Sequence, residues 1–201
     1  MEHAASLTSA ADPALVRDAS ARLQARSRAT GVLVFAAFAG LWAAAGVFLS
    51  GASPWSWLPV ALLVLAFGAR AVGVLRANPA PAEPLPAAVA ERRRRGGRIF
   101  LWTNVAEGVG ILVAVNVVAN LGHPQWQIPA VMAIVGLHFL PLARAFAFPP
   151  HLVTGVAMTA WALAYPGLCA AGATAAAGPF GAAAILFASA AWALRAALPR
   201  R

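Results

Sequence analysis

Six apolar runs, each about 20 residues long, dominate this chain and leave few folds open to it. They are Thr30 to Ser50, Trp55 to Leu75, Ile99 to Asn120, Ile128 to Phe148, His151 to Ala171 and Gly178 to Leu198. At about 1.5 Å of rise per residue, 20 helical residues cross the roughly 30 Å of a bilayer's hydrocarbon. The runs are continuous rather than alternating, which argues against the strands of a membrane barrel. Lipid otherwise admits only helices, because an unpaired backbone group finds no water there. The expected fold class is therefore all-α, a polytopic transmembrane bundle of six spans in three hairpins, residues 30–198, behind an N-terminal segment, residues 1–29.

Charge supports the same reading. Only 10% of the residues are charged and 61% are hydrophobic, whereas a soluble domain carries roughly 25% charged residues. The net charge of +9 comes from fifteen basic residues, all arginine, against six acidic ones. Such an excess suits nucleic acid, but these arginines sit at span ends. Arg17 to Arg28 precede the first span. Arg70 to Arg98 fall at or between the second and third, Arg144 ends the fourth, and Arg195, Arg200 and Arg201 end the last. The alternate connections, Gly51–Pro54, Leu121–Gln127 and Gly172–Ala177, hold no Arg, Asp or Glu. Positive charge marks the cytoplasmic side, so both termini are expected inside. Trp55, Trp57 and Trp126 then belong to an outer aromatic belt, with Tyr165, and Trp102 and Trp192 to an inner one.

Two polar segments flank the spans on that side. Asp12-Pro13 opens a short amphipathic helix on the inner membrane surface, Asp capping it and Pro filling its first position. The loop 76–98 begins with the proline-rich stretch ANPAPAEPLP, which is expected to be extended and mobile. It ends in Arg92, Arg93, Arg94, Arg95 and Arg98, a cluster expected to anchor topology and to meet anionic lipid headgroups. Lipid is thus the expected partner, with a homo-oligomer or second membrane protein left open and nucleic acid excluded.

Glu107 is the one acidic residue inside a span, roughly 12 Å from its inner edge. Intramembrane carboxylates are costly unless protonated or paired, and so point to a functional site. Asn104 lies one turn earlier, and Gly108 and Gly110 would let a neighbouring helix approach. His138 sits at nearly the same depth in the fourth span, where Pro141 frees the carbonyl of Leu137. Arg70 and Arg144, a turn or two nearer the cytoplasm, are the expected charge partners of Glu107. Trp42 and Trp161 lie deep in spans one and five, as packing residues or as walls of an apolar pocket. Pro166 is expected to bend the fifth span.

The segment carrying Gly136, His138, Phe139, Pro141, Leu142, Ala143 and Arg144 resembles one in small, uncharacterised bacterial multi-span proteins. That resemblance spans about a quarter of the chain. It implies a bacterial cytoplasmic (inner) membrane location and supplies no activity.

No catalytic motif, metal-ligand set or cofactor signature occurs, so no enzyme activity, metal or cofactor is expected. The lone Cys169 forms no intrachain disulfide. Two readings remain. The preferred one is an accessory or structural membrane protein whose polar residues serve assembly. The alternative is a small-solute or proton-coupled transporter or binding protein using Glu107, His138 and Asn104.

Overall fold

The structure, a computed structural model, describes residues 13–80, 85 and 87–198. The expected Asp12 cap, the prolines at 81, 84 and 86, and Arg200 and Arg201 lie outside those residues. The described chain is all helical, with no strand. Helix α1 spans Pro13–Ser50, α2 Trp57–Ala77, α3 Ala87–Asn120, α4 Gln127–Phe146, α5 Pro149–Ala170 and α6 Ala177–Ala197. All six are long and apolar enough to cross a membrane.

Two helices run beyond the expected spans. The first span and the amphipathic segment before it form one helix of 38 residues. No Gly or Pro separates residues 14–29 from the span, and the Ala, Leu and Arg found there propagate a helix readily. The second half of the expected loop 76–98 is likewise helical, because α3 starts at Ala87 just after the last proline. Arg92 to Arg95 therefore ride on a helix, not on an extended connection. Gly96 and Gly97 do not break it, and Gly96 is buried against Phe146 at the end of α4. At about 1.5 Å per residue, α1 is roughly 57 Å long and α3 roughly 51 Å, so each outruns a bilayer core by about 20 Å or more.

The ends of the helices show how the turns are made. Each of the three arginine-free turns holds a glycine at positive φ just past a helix: Gly51 at 61°, Gly122 at 76° and Gly172 at 96°. Glycine takes that left-handed conformation without the Cβ clash, which closes the preceding helix. Two turns add the main-chain bonds of such a cap, His123 N–H to Val118 O and Ala173 N–H to Leu168 O. At the opposite end α4 and α5 are joined almost directly. Ala147 adopts the left-handed conformation there and Pro149 and Pro150 begin α5, proline being pre-set for the first helical turn.

Packing follows an arc in the order α2, α1, α6, α5, α4, α3. The arc curves far enough for α1 to meet α4, where the Phe35 and Phe139 rings stack at 5.4 Å. Helices α1 and α6 pack together, and both bury many small residues, among them Ala29, Ala36, Ala39 and Ala43 on α1 and Ala182, Ala183, Ala190 and Ala193 on α6. Small side chains let helix backbones come close, and dispersion rather than water exclusion then holds them in lipid. Across α5 and α6 the buried hydroxyls of Thr154 and Ser189 lie 2.6 Å apart. Between α4 and α5, Gly136 and Gly155 bring the two backbones into direct contact.

Arginine does more than mark a side. Arg26 on α1 donates to the carbonyls of Leu75 and Asn78 at the end of α2, at 3.2 and 2.6 Å. Arg28 donates to the Ala196 carbonyl at the end of α6. The last carbonyls of a helix lack intrahelical donors and carry its partial negative charge. The polar extension of α1 thus caps both of its neighbours.

Candidate intramembrane polar site

Helix α3 is the outlier of the bundle. None of its most apolar stretch is buried, and its packing partners are α4 and the turn before it. Glu107 and His138 join the two helices through polar groups, as the Gln127 amide does nearer the turn by donating to the Val115 carbonyl at 3.4 Å. The Glu107 carboxylate lies 3.1 Å from His138 Nδ1, with the side chains 16% and 8% exposed. The carboxylate does not meet that nitrogen along its N–H axis, so Nδ1 has no formed hydrogen bond. The contact is one of charge and proximity, with room to tighten by a small rotation. The main chain of Thr103, one turn before Glu107, also lies against the imidazole. Helix spacing accounts for this, since residues 103 and 107 share a face.

Asn104 takes a different role. Its amide nitrogen donates to the Phe100 carbonyl within α3 at 2.7 Å. Its oxygen, an acceptor, and its second N–H are left for other partners.

Glu107 and Asn104 line a cleft of about 330 Å³ between α1, α3 and α4. Its remaining walls are apolar and aromatic, with Phe38 and Trp42 contributed by α1. The cleft is open at the side of the bundle, where α3 stands away from α1. Gly108 faces this space with nothing within 4 Å of where a Cβ would stand, and a Cβ on Gly110 would meet only the side chain of Ile134 at ordinary contact distance. The expectation that these two glycines admit a helix is therefore corrected; that task falls to Gly136 and Gly155.

The expected arginine partners are not at the site. Among the described residues the ion pairs are Glu107–His138 and an exposed Arg98–Glu91 contact of 3.8 Å. Arg70 and Arg144 are both exposed. A guanidinium so near the end of the apolar belt gains more by extending toward water than by reaching inward. Arg92 to Arg95 and Arg98 are exposed along the first turns of α3.

Tyr165 and His151 sit where sequence did not put them, while Trp161 takes the packing role expected of it. Tyr165 is 4% exposed, and its hydroxyl donates to the Ala175 carbonyl at 2.9 Å. It belongs to the α5–α6 packing with Gly178 beneath its ring, not to an interfacial belt. Trp161 donates to the Gly178 carbonyl at 2.9 Å, so of the two deep tryptophans only Trp42 reaches the cleft. His151 is held in a cage of Phe35, Phe139, Phe146 and Phe148, with ring centroids 5.1 to 6.0 Å away. Its Nδ1 is buried without a partner. The cage draws on α1, α4, α5 and the turn between the last two, so spacing along the chain carried no signal for it.

No protein-family model, curated protein or solved structure matches the chain. Any reading of function therefore rests on the geometry.

Proposed function

We propose that the protein is an integral membrane protein, multi-pass, with its arginine-bearing end in the cytoplasm of a bacterial cell, and that Glu107 and His138 form a proton-titrating site within the bilayer. In this reading the site binds a small solute and exchanges it for a proton. The observation that carries it is the carboxylate–imidazole contact of 3.1 Å, with Glu107 on the wall of an open cleft. A carboxyl and an imidazole in contact share one proton between two basic sites, and their charge state follows whatever else approaches. An intramembrane carboxylate serving packing alone gains nothing from a cleft, whereas a binding site requires one.

Infrared difference spectra recorded against pH, on protein in lipid nanodiscs, test this directly. A carboxyl C=O band should disappear as pH rises, be absent in Glu107→Gln, and shift in His138→Gln. A wild-type spectrum whose carboxyl bands are unchanged by Glu107→Gln would remove the titrating site.

One observation favours a second, structural reading. Among the described residues helix α3 is held to the bundle chiefly through α4 and the turn before it, so the Glu107–His138 contact can act as a clamp, consistent with an accessory role.

A further inference from the structure

We infer that the cleft beside Glu107 takes a lipophilic organic cation that enters sideways from the bilayer. This rests on the reading of Glu107 and His138 as a titrating pair and adds the chemistry of the occupant.

The cleft offers acceptors at its polar end. One carboxylate oxygen of Glu107 is engaged by His138, and the other is free for a ligand. The Asn104 amide spends one N–H on Phe100 and keeps its oxygen as an acceptor beside a second N–H. The backbone N–H groups of this part of α3 are committed to the helix. An anionic ligand would therefore meet a carboxylate, with neutral N–H groups of Trp42 and Asn104 and no cation in the lining to offset the repulsion. A neutral apolar ligand would cover the carboxylate without satisfying it, at the cost of a stranded polar group. A cation meets complementary charge, and the Phe38 and Trp42 rings on the α1 wall suit it further, because aromatic faces attract cations, Trp most strongly. The remaining lining is aliphatic, matching an apolar body. A volume of about 330 Å³ falls at the small end of ligand pockets, roughly 300 to 1,000 Å³.

Depth and opening decide the route. Glu107 lies roughly eight residues inside its apolar span, about 12 Å of helix. The cleft opens between α1 and α3, at the side of the bundle that faces lipid. An amphiphile dissolved in the bilayer reaches it without crossing the polar ends. The exchange conserves charge. The empty site holds one proton, shared between the carboxyl and the imidazole. A cation binding the carboxylate displaces that proton, which leaves as a hydronium ion, so one proton is released per cation bound.

Equilibrium dialysis of protein in phosphatidylcholine nanodiscs tests this with two probes of like shape and opposite charge, tetraphenylphosphonium and tetraphenylborate. Tetraphenylphosphonium should bind saturably and more tightly as pH rises, since it competes with a proton. Glu107→Gln should weaken it by about tenfold or more, and Trp42→Leu by about threefold. The Trp42 variant leaves the titrating pair intact, so it also covers the case in which Glu107→Gln does not fold. Equal binding of tetraphenylborate would overturn the cation assignment, as would saturable binding that is the same in both variants. Weakening of about tenfold in phosphatidylethanolamine discs would also overturn it, in favour of a lipid amine headgroup as occupant. Failure of both probes, with the Glu107 infrared band still titrating, would sink this inference and leave the titrating site standing. Loss of the band as well would take down both.

Discussion

A carboxyl group inside hydrocarbon lowers its energy by holding a proton, by pairing with a cation, or by finding water. Glu107 has the first two combined in one neighbour, because an imidazole supplies either a proton or a positive charge. A guanidinium would have fixed the carboxylate permanently ionised; His138 leaves its state open. The two readings of the site separate at this scale. If the contact clamps α3 to α4, Glu107→Ala should lower stability in detergent by about 1–3 kcal/mol, since it strands the imidazole. Glu107→Gln, which keeps a hydrogen-bonding group, should cost less than half as much. Thermal unfolding of both variants beside wild type measures the difference. Two unchanged midpoints would dismiss the clamp and leave ligand exchange as the reason for the pair. His151 is a different case: its imidazole is packed among four phenylalanine rings and takes no part in the cleft lining.

At the scale of helices, the crossing of α4 and α5 is the tightest constraint. A Cβ built on Gly136 would lie 2.8 Å from the Thr159 backbone nitrogen and 3.0 Å from the Gly155 carbonyl oxygen. One on Gly155 would lie 2.8 Å from the Gly136 carbonyl oxygen. Backbone cannot yield as a side-chain tip can, so the helices must separate. Gly136→Ala and Gly155→Ala should each destabilise by about 1–3 kcal/mol, the usual cost of overpacking. The double variant should cost less than the sum, because the first substitution already opens the shared gap. Gly108→Ala is the control. It meets nothing within 4 Å, so it should be neutral or slightly stabilising through the better helix propensity of Ala. Equal loss at all three positions in a thermal unfolding series would dismiss this account of the crossing.

For the whole molecule, direction in the membrane is the property that arginine decides. Arg26 and Arg28 reach the ends of α2 and α6, and Gly96 of α3 meets Phe146 of α4. The arginine-bearing ends are thus gathered at one end of the bundle, opposite the three glycine turns. Positive charge is retained in the cytoplasm. An alkaline phosphatase fusion, active only outside, should therefore be silent after Arg201 and active after His123. The reverse pattern would invert the molecule and place the α1 and α3 extensions outside the cell. The arc leaves α3 tied to one neighbour, and that loose closure is what opens a cleft at the depth of Glu107.

Much of this was legible along the chain, and the reasons are local. Length and hydropathy set six helices, because a span must satisfy its own backbone in lipid whatever its neighbours do. Alternating arginine-rich and arginine-free connections set the hairpins. Helical spacing and chain direction placed Glu107 and His138 at one depth on adjacent helices. The arginine extensions of α1 and α3 were less legible, since charge argued for a surface or a loop while helix propensity, uninterrupted by proline, carried the helices onward. Three further things needed the tertiary structure. It replaced the expected arginine partners of Glu107 with His138, because rotation about each helix axis decides what a side chain faces. It moved Tyr165 from a belt to a buried seam, because the loop carbonyl of Ala175 was there to accept its hydroxyl. It built the cleft from residues between Phe38 and Val135 and the His151 cage from residues between Phe35 and His151. In lipid every span is apolar on all faces, so hydrophobicity cannot say which face packs. Small residues, close backbone approach and a few polar contacts decide that, and these depend on shape between helices rather than on pattern within one.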